Sequence, residues 1–136
     1  MKTRVIVSAV IEKNRDLLFG KKKADVGPYP NTWHLIGGGV DDGESLSDAI
    51  KREIKEEAGI EVTISRSLGF DEDYEPNKHG EITHYIFLVF LAEYVSGEVK
   101  ADDDIVKLEW ISREKLAEIE LNKPSIKLFK KMGYLA

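Results

Sequence analysis

Apolar and polar positions change their spacing along the chain, and each change marks an element. Val5–Ile11 is an apolar run with Ser8 and Ala9 inside it, and it predicts a first β-strand. Polar Asn14–Asp16 predicts a turn, Leu17–Lys21 a short strand, and Ala24–Asn31, with Pro28 and Pro30, an irregular loop. Trp33–Ile36 reads as a further strand, and Gly37–Gly39 as a glycine loop that leads through Asp41, Asp42 and Gly43 into a helix. In that helix Leu46, Ile50, Ile54 and Ala58 recur every fourth position, Ser45 stands at the N-cap with Asp48 three residues on, and Gly59 supplies a left-handed stop. Val62–Phe70 and Ile82–Tyr94 are strand-like in their β-branched and aromatic content. Gly97 marks a turn, Asp104–Trp110 a last strand, Ser112 a cap for a helix through Ile119, and Pro124 the start of a final helix closed by Gly133. Strands interspersed with three helices predict an α/β sandwich with a mixed sheet.

Composition narrows the class. A chain of 136 residues, 42% hydrophobic and 33% charged, can bury one core, and residues 1–136 read as a single domain without linker, repeat or low-complexity segment. Lys21–Lys23, Asp71–Glu75 and Asp102–Asp104 are dense in charge and short enough for loops or element ends. A net charge of −5 argues against a nucleic acid polymer as partner, which calls for a concentrated basic surface. The absence of cysteine excludes disulfides, zinc thiolate sites and thiol nucleophiles. Lys2 and Arg4 ahead of Val5–Ile11 imitate a signal peptide, but the run is short, lacks a cleavage pattern and is followed at once by Glu12–Arg15. No segment approaches the roughly 20 apolar residues that span a bilayer, so the expectation is a cytoplasmic protein without a membrane partner.

The helix carries the chemistry. Glu53, Glu56 and Glu57 stand at i, i+3 and i+4, within an arc of roughly 100°, so they can reach one ion. Glu-rich helix faces are usually only solvated, and like charges four apart repel by a few tenths of a kcal/mol unless a cation or a basic side chain such as Arg52 or Lys55 compensates. The wider pattern does not fit a mere solvated face. Gly38, Glu44, Arg52, Glu53, Glu56, Glu57 and Gly59 alone, without apolar Ile54 and Ile60 that complete the pattern, arise by chance at on the order of one starting point in 10⁹. Carboxylates beside a glycine segment suit a hard divalent cation that holds phosphate oxygens.

From Gly38 to Ile60 the chain resembles, without a departure, the signature of the Nudix (MutT-type) hydrolases. The resemblance implies an α/β/α sandwich with a mixed sheet flanked by helices. It also implies a Mg2+-dependent enzyme, with Mn2+ as a substitute, that cleaves the diphosphate linkage of a nucleoside diphosphate derivative. By the same resemblance Glu53, Glu56 and Glu57 are metal ligands together with a carbonyl of Gly37 or Gly38, Arg52 orients the glutamates, and Glu44 assists from the edge; the glutamate that acts as base varies within the family. MutT-type members carry a further acidic residue ahead of a late tryptophan. Asp104, six residues before Trp110, takes that place here, with Asp102 and Asp103 as competitors. Many relatives have proline where this chain has Ile36, which predicts an altered entry to the glycines and no loss of catalysis.

Substrate contacts are expected from Lys21 and Lys23, since many relatives have a basic side chain near the phosphates after the second strand. Tyr74 is the candidate to stack on a base, whereas core packing suits Trp33 and Tyr85 better. The segment PNTWHL before the glycines resembles members that cleave nucleoside triphosphates to monophosphate and pyrophosphate, which is the preferred reading. Pro76, 16 residues after Ile60, is loosely associated with ADP-ribose hydrolases, so ADP-ribose or a nucleotide sugar is the alternative. A nucleotide-sensing module without catalysis would have lost box carboxylates, and none is lost. Oligomeric state stays open between monomer and homodimer.

Rival motifs fail on spacing. Gly37–Gly43 is not a dinucleotide fingerprint, Gly20–Lys21 lacks the rest of a P-loop, and Asp71, Asp73 and Glu75 would place Pro76 where a calcium loop needs glycine. Glu81 and His84 point to opposite faces if they share a strand, and His34 and His79 have no partner pattern.

Overall fold

The computed structural model describes residues 1–22, 32–102 and 105–136. At its centre is β1, Lys2–Lys13. Side chains alternate across a strand, and here both faces are covered: Val7, Ala9 and Ile11 join one apolar cluster, while Val10 joins another on the opposite face. Double coverage is why Val5–Ile11 reads as a nearly continuous apolar run. Along one edge β1 pairs in parallel with β6 (Ile82–Ser96), and β6 pairs antiparallel with β5 (Glu61–Pro76). Along the other edge β1 diverges from β2 (Asp16–Lys22) after two paired positions, and β4 (Ile36–Gly39) fills the gap antiparallel to residues 6–9. Beyond the split, β2 carries β3 (Trp33–His34) and β7 (Ile105–Ser112), both antiparallel. The sheet is therefore mixed, as expected.

A helix covers each face. Helix α1, Leu46–Ala58, is capped by the Ser45 hydroxyl, which accepts from the Asp48 amide at 3.1 Å, and it ends at Gly59 with φ 72°. It buries Ala49, Ile50, Ile54 and Ala58, whereas Leu46, expected in the same stripe, stays 40% exposed in the first turn. On the other face, helix α2, Lys123–Met132, starts at Asn122 and stops at Gly133 with φ 80°. Its Phe129 meets Phe19 edge to face at 5.9 Å.

Several expectations need correction. Trp33–Ile36 is not one strand: Leu35 interrupts it, and β3 pairs with β2 while β4 pairs with β1. Gly37–Gly39 belong to β4 and not to a loop. The reason is space, since a Cβ on Gly37 would lie 2.0 Å from the Val7 carbonyl oxygen. The turn comes later, where the Glu44 amide donates to the Asp41 carbonyl at 3.0 Å and Gly43 takes φ 75°. The expected helix after Ser112 is a 3₁₀ segment, Arg113–Glu118, and the Ser112 hydroxyl donates to the Glu114 carboxylate instead of capping an amide. The strand expected to stop at Phe70 runs on to Pro76, so that Asp71–Glu75 form an element end, where Lys123 meets Asp73 at 3.4 Å and Glu75 at 3.0 Å, and Lys127 meets Asp71 at 3.4 Å. Pro76 ends that strand, and the Asn77 side chain closes the following turn by accepting from the amides of His79 and Glu81 at 2.9 and 3.0 Å. Among the described residues no helix is long and apolar enough to cross a membrane.

Candidate active site

Arg52 organises the carboxylates of α1. Its Nε donates to Glu44 Oε2 at 2.8 Å and its Nη2 to Glu44 Oε1 at 2.9 Å, a two-pronged contact that suits a planar guanidinium. Nη2 also donates to the Gly39 carbonyl at 3.0 Å, and Nη1 reaches Glu53 Oε1 at 2.9 Å and both oxygens of Glu56 at 3.3 Å. Asp41 comes within 3.5 Å of Nε. Glu44 is fixed from its other side by the Asp41 amide, which donates to Oε1 at 3.1 Å. The Arg52 bond, followed by the Asp41 amide, pulls the Glu44 carboxyl below its ordinary range, and the Glu44 bond raises the Arg52 guanidinium despite its burial. Both groups are held charged.

Glu53, while bonded to Arg52, and Glu57 line a cavity of about 610 Å³ that Gly37–Gly39 also line. Glu57 is buried, 4% exposed, and its Oε1 accepts from the Gly37 amide at 3.2 Å. A Cβ on Gly38 would lie 2.5 Å from the Glu53 carboxylate, so the missing side chain makes room for that acid against the strand. A buried carboxylate, a second carboxylate seated on bare backbone and a third on the outer side of Arg52 form an oxygen-only donor set, which fits a hard divalent cation. In the arrangement seen here, with Arg52 Nη1 bonded to both Glu53 and Glu56, no three acidic or histidine side chains among the described residues converge into a finished cage. Glu56, with its side chain 47% exposed against 12% for Glu53, is the more open of the two carboxylates on Arg52 Nη1.

Other expected contacts fall elsewhere. Lys23 and Asp104 lie outside the described residues, as does the competitor Asp103. Asp102 is described, and its amide donates to the Glu57 carbonyl at 3.3 Å, which ties the chain just before those positions to the last turn of α1. Lys21 does not line the cavity; its Nζ stands 5.1 Å from the centroid of the Trp33 ring. Tyr74, expected to stack on a base, stacks instead on His84 at 4.5 Å and 7°. Its strand partner His84 alternates with Thr83 and Tyr85, which line the cavity, so Tyr74 occupies the opposite face. Glu81 and His84 form no pair; His84 Nε2 meets Glu72 Oε2 at 3.0 Å.

The sequence reading missed most of the cavity wall. Tyr85 and Phe87, stacked at 5.9 Å and 15°, form an aromatic side of it. Buried His34, assigned no role above, lines the inner part beside Asn122, with Nδ1 3.2 Å from Asn122 Nδ2 and Nε2 3.2 Å from Thr32 Oγ1. Alternation along β6 was the available signal for Tyr85 and Phe87. The contact between His34 and Asn122, 88 residues apart, has no sequence signal.

Comparison with known proteins fits this geometry. The family model described as NUDIX domain matches residues 2–132. The chain is 30% identical over 141 residues to the nucleoside triphosphatase NudI of Enterobacter sp. (strain 638), covering 99% of this chain and 100% of that protein. Among solved structures, a MutT NUDIX hydrolase from Burkholderia pseudomallei superposes with a TM-score of 0.82 at 26% identity, covering 96% of this chain and 98% of that one. The MutT protein from Methanosarcina mazei Go1 does so with a TM-score of 0.83 at 25% identity, covering 97% and 94%.

Proposed function

The chain belongs to the Nudix hydrolase family and is a pyrophosphohydrolase of nucleotides, and from that premise we propose that its substrate is a nucleoside triphosphate, split to monophosphate and pyrophosphate with Mg2+. The observation that carries this reading is that Glu53, from the Arg52-centred carboxylates, and buried Glu57 both line a cavity of about 610 Å³, a size suited to one nucleotide. The curated relatives that support the choice of substrate are nucleoside triphosphatases matched over their whole length. Pro76 gives no support to ADP-ribose, since it ends β5 at a turn that Asn77 organises.

In this reading Glu53, Glu56 and Glu57, with a carbonyl of Gly37 or Gly38, hold the cation. Bound Mg2+ supplies the charge neutralisation that lets a nucleophile approach phosphorus. Arg52 is a positioning residue: it fixes Glu53 and Glu56, and Glu44 fixes Arg52. One glutamate of the set takes the proton of the attacking water as the new P–O bond forms, and the anhydride bond breaks with its electron pair leaving on pyrophosphate. The apolar and aromatic wall takes the nucleoside and leaves the phosphates at the carboxylate end.

Product analysis tests the proposal. Purified protein with Mg2+ is offered nucleoside triphosphates, ADP-ribose and nucleotide sugars, with Glu56→Gln in parallel. Monophosphate and pyrophosphate from a triphosphate, lost in Glu56→Gln, is the expected result. AMP with ribose phosphate from ADP-ribose alone would overturn the choice of substrate, and tight binding without cleavage of anything would overturn catalysis.

A further inference from the structure

We infer that Arg4 clamps the polyphosphate of the substrate, at the junction between the cavity and an open groove outside it. The inference rests on the proposed function for its substrate class, and on its own geometry for the residue.

Strand register puts Arg4 there. In β1, Ile6 pairs with Gly39, and Arg4, two residues earlier, shares its face and reaches over Gly39. A Cβ on Gly39 would lie 2.9 Å from Arg4 Nη2 and 3.4 Å from its Nε, so the glycine provides the room in which the guanidinium lies. Gly39 thus meets two arginines, Arg52 through its carbonyl at 3.0 Å and Arg4 over its Cα. Their situations differ. Arg52 is taken up by Glu44, Glu53 and Glu56. Arg4 forms no ion pair among the described residues and is exposed to solvent, although the chain carries 25 acidic against 20 basic side chains.

Arg4 also stands where phosphates have to pass. Together with Glu53 and Gly39 it lines the cavity and the outer groove, whose far side carries Asp41, Asp42 and Glu44. A polyphosphate crossing from one to the other meets carboxylates on the α1 side, so it needs a cationic group on the β1 side, and the guanidinium fork fits phosphate oxygens in pairs. Lys2 and Lys78 at the same rim add positive charge without that fixed geometry.

Binding separates this from a general charge effect. Affinity is measured by calorimetry, with Mg2+ and with EDTA, for the α,β-methylene analogues of ATP and CTP and for AMP and CMP, on wild type, Arg4→Ala, Arg4→Lys and Lys115→Ala. A charge-assisted hydrogen-bond pair lost to phosphate is expected to raise Kd for the triphosphate analogues by roughly ten- to a hundredfold in Arg4→Ala. Monophosphates should change by less than about threefold, Arg4→Lys should recover part of the loss, and Lys115→Ala, which removes one charge from the distant 3₁₀ segment, should change nothing. In turnover the loss should fall on KM more than on kcat. Thermal melting verifies that the variants are folded; Arg4 is exposed, so they should be. Equal losses for mono- and triphosphates, or none for either, would overturn the clamp while leaving hydrolysis intact. Conversely, an Arg4-dependent affinity in a protein that cleaves no nucleotide would overturn the proposed function and leave the clamp standing.

Discussion

Gly37 and Gly38 are neighbours with different obligations. An added Cβ at Gly37 would meet the Val7 carbonyl oxygen at 2.0 Å, which is backbone of the paired strand and cannot step aside without breaking the ladder. At Gly38 the nearest atoms, at 2.5 Å, belong to the end of the Glu53 side chain, which can rotate away. Gly37→Ala is therefore expected to destabilise the fold by about 3 kcal/mol or more. Gly38→Ala is expected to cost the fold about 1 kcal/mol and to lower activity by roughly ten- to a hundredfold, because the displaced group is the acid seated on the strand. Urea unfolding with kinetics on the same two variants checks this. Equal loss of stability in both would refute the distinction, as would full activity in Gly38→Ala.

The two α-helices begin with the same device and depend on it differently. Ser45 caps α1 from an exposed position, whereas Asn122 is buried: its Oδ1 accepts from the Ser125 amide at 3.0 Å, its Nδ2 lies 3.2 Å from His34 Nδ1, and its own amide donates to the Trp33 carbonyl at 3.0 Å. Ser45→Ala should cost about 1 kcal/mol. Asn122→Ala should cost roughly 2 to 3 kcal/mol, since it also strips a partner from a buried ring; denaturant midpoints that fall equally would contradict this. Where the 3₁₀ segment begins, Ser112 and then Arg15 pull the Glu114 carboxyl from its ordinary 4.5 down to about 2. A folded-state pKa below the unfolded one stabilises above the unfolded value and is lost as pH falls through the folded one. The Tm gap between wild type and Glu114→Gln should therefore be complete above pH 4.5 and close towards pH 2. A gap constant across that range would refute the pairing. At this scale α1 was legible from sequence because its caps and stripe are local. β4 was not, because three glycines carry no strand propensity and their pairing is with β1, some thirty residues earlier. The reach of β5 past Phe70 into its acidic end was not legible either, because the lysines that face it come from α2, 48 to 56 residues later.

Taken whole, the molecule joins a locally written acidic cluster to a cavity assembled from distant strands. The signature could be read from one segment because helical spacing positions Arg52, Glu53, Glu56 and Glu57 on α1, and the turn just before the helix brings Glu44 to Arg52. The opposite wall comes from β1, β3, β6 and the start of α2, so Arg4, His34, Tyr85 and Asn122 meet only when the sheet forms. The joined site is dense in carboxylates. Asp41, Glu44, Glu53 and Glu56 lie within 3.5 Å of a single guanidinium, and buried Glu57 accepts from the Gly37 amide. An ion bound by such a set in the folded state alone stabilises that state, so Mg2+ should raise Tm, by the equivalent of about 2.7 kcal/mol where the free ion stands about a hundredfold above Kd. Glu57→Gln keeps an oxygen for the Gly37 amide while removing the carboxylate that would hold the ion. It should lose most of the Mg2+-induced rise. Scanning calorimetry of both proteins in EDTA and in Mg2+ separates the effect of the ion from that of the substitution itself. An undiminished rise in the variant would remove Glu57 from the ion's proposed ligands.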